Sequence, residues 1–256
     1  MSTELVVALV AGGFSLVSAA YANLIARRQE EHQRARTKAE TVAELMARYR
    51  QPLLQASFDL QSRMYNVVRN DFLATYYDDE RPDTTEYARE STLYVIAEYL
   101  GWAEILRHEV QFLDLGDQGE NREWVQRLQA VKNALLTNAH DPVLQIMTGQ
   151  QRAIGQVMMI EDRDGAGPTR HVCCGYAEFI VRRRDNQDFS RWFERLAADV
   201  DLLAEGHDGR IGRLVALQNA LIELINFLDP ACDRLPGSER GKLSKLPPAE
   251  FAGPAS

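Results

Sequence analysis

One short segment brings together residue types that could bind a metal ion. His171, Cys173 and Cys174 lie within one four-residue stretch, and imidazole and thiolate are ligands that zinc prefers. A zinc site, however, draws paired ligands from two places in the chain, and adjacent cysteines on a helix point about 100° apart. Cysteines packed inside the protein are therefore the simpler interpretation, and the sequence predicts no metal site.

A second group places a carboxylate one helical turn before a histidine, at Glu104, His108 and Glu109. Such a pair could transfer protons, but at this spacing it is more often an ion pair on a helix surface. The chain contains no G-x-S-x-G, no Walker loop and no G-x-G-x-x-G motif. The sequence therefore predicts no enzymatic activity and no cofactor.

A cluster of arginines is the best candidate for ligand binding. Arg170 precedes a predicted helix start, Arg182 and Arg183 end the same element, and Arg152 lies on the helix before it. Arginine suits bidentate phosphate contacts, and a helix N-terminus attracts anions. These four residues predict a site for a nucleotide-derived or other phosphate-bearing ligand. The alternative is that they cap a helix and pair with nearby acids such as Asp185.

The net charge is −8, from 29 basic and 37 acidic residues, so the chain lacks the basic surface that duplex nucleic acid binding requires.

Near its N-terminus the chain has an uncharged apolar run, Leu5–Ala26. About 20 helical residues span a bilayer core, so this run predicts a transmembrane helix over residues 1–27. A cleaved signal peptide and a buried soluble helix are the alternatives. Basic residues follow the run and none precedes it, which predicts a cytoplasmic C-terminal domain anchored in the bacterial inner membrane.

Small and polar residues recur along the predicted span. Gly12, Ser15, Ala19 and Asn23 are spaced so that helix backbones can approach closely and hydrogen-bond. This spacing predicts a face for homo-oligomerisation in the membrane. Small residues are also frequent in membrane helices in general, which is the alternative explanation.

The rest of the chain has helical periodicity throughout, with 45% hydrophobic residues. We predict an all-α fold: a charged helical stalk over 28–41, a cytoplasmic helical bundle over 42–229 and a Pro/Gly-rich tail over 230–256 that is extended or disordered. Three cysteines are too few for a disulfide framework, and they indicate a reducing compartment.

Several local features of this bundle are open to interpretation. Pro52 either bends a helix or starts a new one. A helix is expected from Asp83 to about Asp114, and another around Phe189–Val200. Residues 161–170 are expected to form a loop, and residues 173–183 to form a helix rather than a strand, because no partner strand is visible. Gln218 falls in an apolar stripe, which predicts a structural hydrogen-bond network.

Three segments of the second half, QQRAIGQVMM (150–159), CCGYAEFIVRR (173–183) and LQNALIELINFLDP (217–230), resemble a group of bacterial, mainly actinobacterial, proteins. That resemblance assigns no activity. In layout alone, a membrane helix followed by a helical domain, the chain is similar to channel-type effectors of Hailong antiphage systems. This resemblance implies a membrane oligomer gated by a nucleotide-derived signal, although no motif matches residue by residue.

Two functions fit these observations best, and a hydrolase with an unrecognised site is a third hypothesis. The first is a signalling or antiphage effector that oligomerises into a ligand-gated pore, with the arginine cluster as its sensor. The alternative is a membrane-tethered helical module that recruits a cytosolic partner and forms no pore.

Overall fold

The computed structural model describes residues 3–77, 80–110, 119–162, 170–206 and 209–244. Within its helices, the side chains of residues 3–24, 38, 39, 41–43, 45, 46, 110 and 119–121 are outside the described part. The predicted oligomerisation face, Gly12, Ser15, Ala19 and Asn23, is helical in backbone but falls among those side chains. Among the residues searched, no helix is both long and apolar enough to cross a membrane.

The described chain is predominantly helical, as the sequence predicts, and it also contains one β-hairpin. The elements in chain order are α1 (Thr3–Arg69), α2 (Phe72–Tyr76), α3 (Pro82–Val110), α4 (Gly119–Leu136), α5 (Thr148–Met158), β1 (Met159–Asp162), β2 (Arg170–Cys173), α6 (Tyr176–Asp185), α7 (Gln187–Ser190), α8 (Glu194–Ala204) and α9 (Gly212–Leu228). A single 3-10 turn, Gly237–Glu239, follows.

The chain divides into two compact units, Met1–Met46 and Ala47–Ser256. The first unit has a helical backbone, and residues 25–37 are exposed on every side. Within it Glu30 and Arg34 form the i,i+4 ion pair that their spacing favours, with 3.6 Å between Arg34 Nη2 and Glu30 Oε2. A helix this polar gains little from its own solvent-exposed pairs.

The second unit has its core around α9, ten of whose residues are buried. α9 packs against α4, and α3 packs against α5 and the hairpin. Close packing of α3 against α5 depends on Gly155, since a Cβ there would lie 2.5 Å from Glu104 Cβ. Trp124 of α4 meets Phe227 of α9 edge-on, with ring centroids 5.7 Å apart.

A buried arginine joins α9 to the end of α4. Arg213 is 0% exposed, and its guanidinium donates to the carbonyl oxygens of five residues at distances of 2.9–3.1 Å. The acceptors are Ala134, Leu135, Thr137, Asp141 and Val143. Arg213 therefore satisfies carbonyls at the C-terminus of α4, which otherwise have no partner within the helix. It also holds the segment that connects α4 to α5.

The expected helix over residues 173–183 is partly wrong. Cys173 ends strand β2, which pairs antiparallel with β1 from Met159↔Cys173 to Asp162↔Arg170, and α6 begins only at Tyr176. The loop expected over 161–170 is correspondingly shorter, and residues 163–169 lie outside the described part. Strands of four residues carry too few positions to distinguish a period of 2 from one of 3.6.

Two further expectations can be compared with the structure. Pro52 lies inside α1, which continues to Arg69. The helix expected around 189–200 is divided into α7 and α8 by a turn at Arg191–Phe193. α3 is described to Val110, and the expected end near Asp114 lies outside the described residues.

Residues 230–244 are folded, in contrast to the extended or disordered tail that the sequence predicts. Asp229 and Arg240 form a buried ion pair, with 2.5 Å between Arg240 Nη2 and Asp229 Oδ2. Gln218 accepts from Leu243 N at 3.1 Å, and its Nε2 donates to Gln61 Oε1 at 3.1 Å and Gly241 O at 2.8 Å. The expected Gln218 network is thus confirmed, and residues 245–256 lie outside the described part.

Candidate functional site

The structure brings two imidazoles and one carboxylate together where α3 meets the hairpin. The donor atoms of His108, Glu109 and His171 all lie within 4.8 Å of one another. His171 Nδ1 is 3.3 Å from Glu109 Oε1, and the two histidine rings meet edge-on with centroids 5.0 Å apart. His108 is exposed, and the side chains of Glu109 and His171 are each 26% exposed. This donor set, from positions more than 60 residues apart, suits a divalent transition metal.

The hairpin reaches these residues because β2 packs closely on α3. A Cβ added at Gly101 would lie 2.6 Å from Cys173 Sγ, so glycine permits the approach. The Tyr94 hydroxyl donates to the carbonyl oxygen of Cys174 at 3.4 Å, and its ring meets that of Tyr176 edge-on. These contacts fix Cys173 at the end of β2, and the residues that follow it, beside α3.

The structure regroups the two sets of residues that the sequence places together, His171 with the cysteines and Glu104 with His108 and Glu109. His171 joins His108 and Glu109, whereas Cys173 and Cys174 pack elsewhere. Burial and the Glu98 carboxylate raise the pKa of the Cys173 thiol, and burial raises that of Cys174 to about 11. Both thiols therefore stay protonated at neutral pH, a poor state for metal binding.

Glu104, which the sequence placed one turn before His108, is engaged by another side chain. Its carboxylate accepts two hydrogen bonds from Arg107, at 2.6 and 2.7 Å, and one from Gln156 Nε2 at 3.3 Å. Glu104 is only 5% exposed, so this bidentate pair belongs to the α3–α5 contact. Glu109 is the carboxylate that accompanies the histidines.

The four predicted ligand-binding arginines lie on three elements, Arg152 on α5, Arg170 on β2, and Arg182 and Arg183 on α6. Arg183 Nε and Nη2 each donate to the Glu90 carboxylate at 3.0 Å, with both side chains almost buried. Arg182 pairs with Glu178 at 2.5 Å and donates to Val157 O at 3.2 Å. A phosphate would therefore have to replace carboxylates at two of the four residues, and a phosphate site there stays a prediction.

An open groove of about 360 Å³ lies between α5 and the α7–α8 turn. Its apolar lining consists of Ile146, Ile154, Trp192 and Leu196, and its polar lining of Gln150, Arg191 and Arg195. Arg191 has an exposed pair with Asp188, at 3.4 Å, and lies 5.4 Å from the Trp192 ring centroid. The groove combines an apolar surface with two guanidinium groups.

The sequence predicted neither the groove nor the contact of His171 with His108 and Glu109 of α3. The groove had no local signal, because Arg191 lies in the turn before α8 whereas Arg195 lies within α8, and the apolar lining comes from two separate segments. The histidine cluster had no local signal either, because its ligands come from distant elements.

Comparisons with protein-family models, with curated proteins and with solved structures found no match to this chain. The resemblance of residues 150–159, 173–183 and 217–230 to actinobacterial proteins thus stays a prediction, as does the similarity of layout to channel-type effectors.

Proposed function

We propose that the protein is a single-pass helical module of the bacterial inner membrane that recruits a cytosolic partner. The observation that carries the anchoring is the uncharged run Leu5–Ala26, followed directly by Arg27 and Arg28. Its length matches a bilayer core, and its basic flank orients residues 28–256 toward the cytoplasm. The all-round polar segment 28–41 then serves as a stalk.

The surface that we assign to the partner is the groove between α5 and the α7–α8 turn. Its apolar lining would accept hydrophobic side chains, and Arg191 on its rim would attract a carboxylate. Arg195 is already paired with Asp199, with 2.8 Å between Arg195 Nη1 and Asp199 Oδ2, and it adds positive charge beside the groove. The partner is therefore a protein segment with apolar residues next to an acid. Because the Arg191–Asp188 pair is exposed, exchanging Asp188 for an incoming carboxylate costs little.

The module is favoured over a ligand-gated pore by the environment of the arginine cluster. A sensor of phosphate-bearing ligands needs guanidinium groups that are accessible, whereas Arg183 is held by Glu90 with both side chains 13% exposed or less. Oligomerisation through the face at Gly12, Ser15, Ala19 and Asn23 is compatible with either function.

Replacing residues 1–27 by an unrelated single span separates the module from the pore. The module predicts that the full-length protein resists alkaline extraction from membranes, that the replacement retains partner binding, and that neither form makes cells leak ions. Ion leakage that depends on the native span would overturn the module in favour of the pore. Extraction of the native protein as a soluble monomer would overturn the anchoring.

Partner binding is tested by a photoreactive residue at Gln150, inside the groove, in cells that naturally express the protein. A matched position is Arg184, whose side chain is 70% exposed on α6 outside the groove. We expect a discrete protein adduct from position 150, none from position 184, and loss of the adduct in R191E, which removes an arginine whose ion pair with Asp188 is exposed. An adduct that survives this charge reversal, or that forms equally at both positions, would contradict the assignment.

A further inference from the structure

We propose that His108, Glu109 and His171 bind one Zn²⁺ ion that links the end of α3 to the β-hairpin. Two imidazole nitrogens and one carboxylate oxygen form a donor set found in open zinc sites, with the fourth position left to water. The inference goes beyond the proposed recruitment function and does not depend on it, because it rests only on residues of the helical domain.

The separation of the donor atoms is compatible with one ion. In a tetrahedral site with zinc–ligand distances of about 2.0–2.1 Å, neighbouring donor atoms lie about 3.4 Å apart. His171 Nδ1 and Glu109 Oε1 are already 3.3 Å apart, and the largest separation within the cluster does not exceed 4.8 Å. Although His108 and Glu109 are neighbours on α3, whose side chains leave the helix about 100° apart, their donor atoms and that of His171 lie within the same 4.8 Å.

The two imidazole rings meet edge-on, with centroids 5.0 Å apart, beside the Glu109 carboxylate. One ion bound by all three groups would link α3 directly to β2.

The hairpin places one further carboxylate on the face that carries His171. Glu161 is the cross-strand partner of His171, and directly opposed residues point to the same face of a sheet. Arg170 precedes His171 on β2, so it points to the opposite face, where its cross-strand partner is Asp162.

The test is a calorimetric titration of the full-length protein in detergent, with any affinity tag removed and metals stripped by chelator, using ZnCl₂ as the probe. We expect one ion per chain, with affinity for Zn²⁺ reduced about 10-fold or more in H171N and E109Q. Removing even a residue that only hydrogen-bonds to a zinc ligand typically lowers metal affinity by about that factor. The matched control is H32N, which alters an exposed histidine of the first unit and should bind as the unaltered protein does.

A second measurement is independent of affinity. Bound Zn²⁺ should slow amide hydrogen exchange in β1 and β2 of the unaltered protein and of H32N, and should leave exchange in E109Q unchanged. In E109Q the new side chain has nearly the same size as the old one, so this variant still tests the site if H171N does not fold. Absence of binding by the unaltered protein, equal binding by E109Q and H32N, or exchange that does not respond to Zn²⁺ would overturn the site.

Discussion

Replacing Arg213 by methionine should strongly destabilise the helical domain. Methionine keeps the volume of the aliphatic part of the side chain but removes every donor, so five backbone carbonyls lose the guanidinium that they share. Because Arg213 is 0% exposed, water cannot simply take its place. Burial lowers the pKa of this guanidinium, which reflects the cost of keeping a charge there.

The magnitude follows from the hydrogen bonds and from the burial. Bonds to a charged group contribute about 1.5–3 kcal/mol each, but five bonds made by one group are not additive. Part of the loss is regained because methionine needs no desolvation of charge. We therefore expect a decrease of about 3–5 kcal/mol in the free energy of unfolding, which is comparable to breaking a buried ion pair.

The assay is thermal unfolding of the full-length protein, followed by Trp fluorescence and circular dichroism. For a domain of 150–250 residues, the expected loss corresponds to a decrease in Tm of roughly 6–20 °C. The matched control is R210M, which removes a partly exposed arginine that donates to two carbonyls, those of Leu202 and Gly206. A Tm of R213M within about 2 °C of the unaltered protein would refute the role assigned to Arg213.

Two further predictions concern packing and charge. G155A should lower the Tm, because the added Cβ would lie 2.5 Å from Glu104 Cβ, whereas G149A, with nothing within 4 Å, should raise the stability by about 0.5–1 kcal/mol; equal effects of the two would contradict the packing of α3 on α5. Burial alone would raise the pKa of Asp229, but hydrogen bonds from the backbone N–H groups of residues 233–235 and from the Arg240 guanidinium lower the pKa by more than burial raises it. The pKa of Asp229 in the folded state therefore lies below its value in the unfolded state. The stabilisation by this carboxylate is present above about pH 4 and is lost as the pH falls through the folded pKa, so the difference in Tm between the unaltered protein and D229N should shrink from about pH 6 to about pH 3, and a constant difference would refute it.

The helices were predictable because their signal is local and repeated. α9 and α4 extend over several turns, and their apolar residues recur with helical spacing, so the pattern identifies both the element and the face that it buries. Gln218 interrupts such a face, and this interruption correctly indicated a hydrogen-bond network. The ordered segment 230–244 was missed because proline and glycine content reports the lack of regular structure, not the lack of contacts.

The candidate metal site was missed for a different physical reason. His108 and His171 are brought together by the packing of β2 on α3, which depends on the absence of a side chain at Gly101. No local pattern encodes that contact. The arginines show the opposite case, in which a conspicuous local pattern does not reveal what the side chains contact. Arg182 and Arg183 are adjacent in the sequence, yet the partner of Arg183 is Glu90, which lies 93 residues away.

The hydrogen bonds that residues 241–243 make to Gln218 affect the order in which the domain can form during synthesis. Gln61 and Gln218 are buried amides, and part of their hydrogen-bonding capacity is met only by backbone groups near the end of the described chain. While those residues remain in the ribosome exit tunnel, the emerging bundle holds unsatisfied polar groups in its interior, at a cost of about 1–3 kcal/mol each. The core is therefore complete only once residues 241–243 have emerged, and a product terminated before them by a premature stop codon would be recognisable to proteases by its loosened interior.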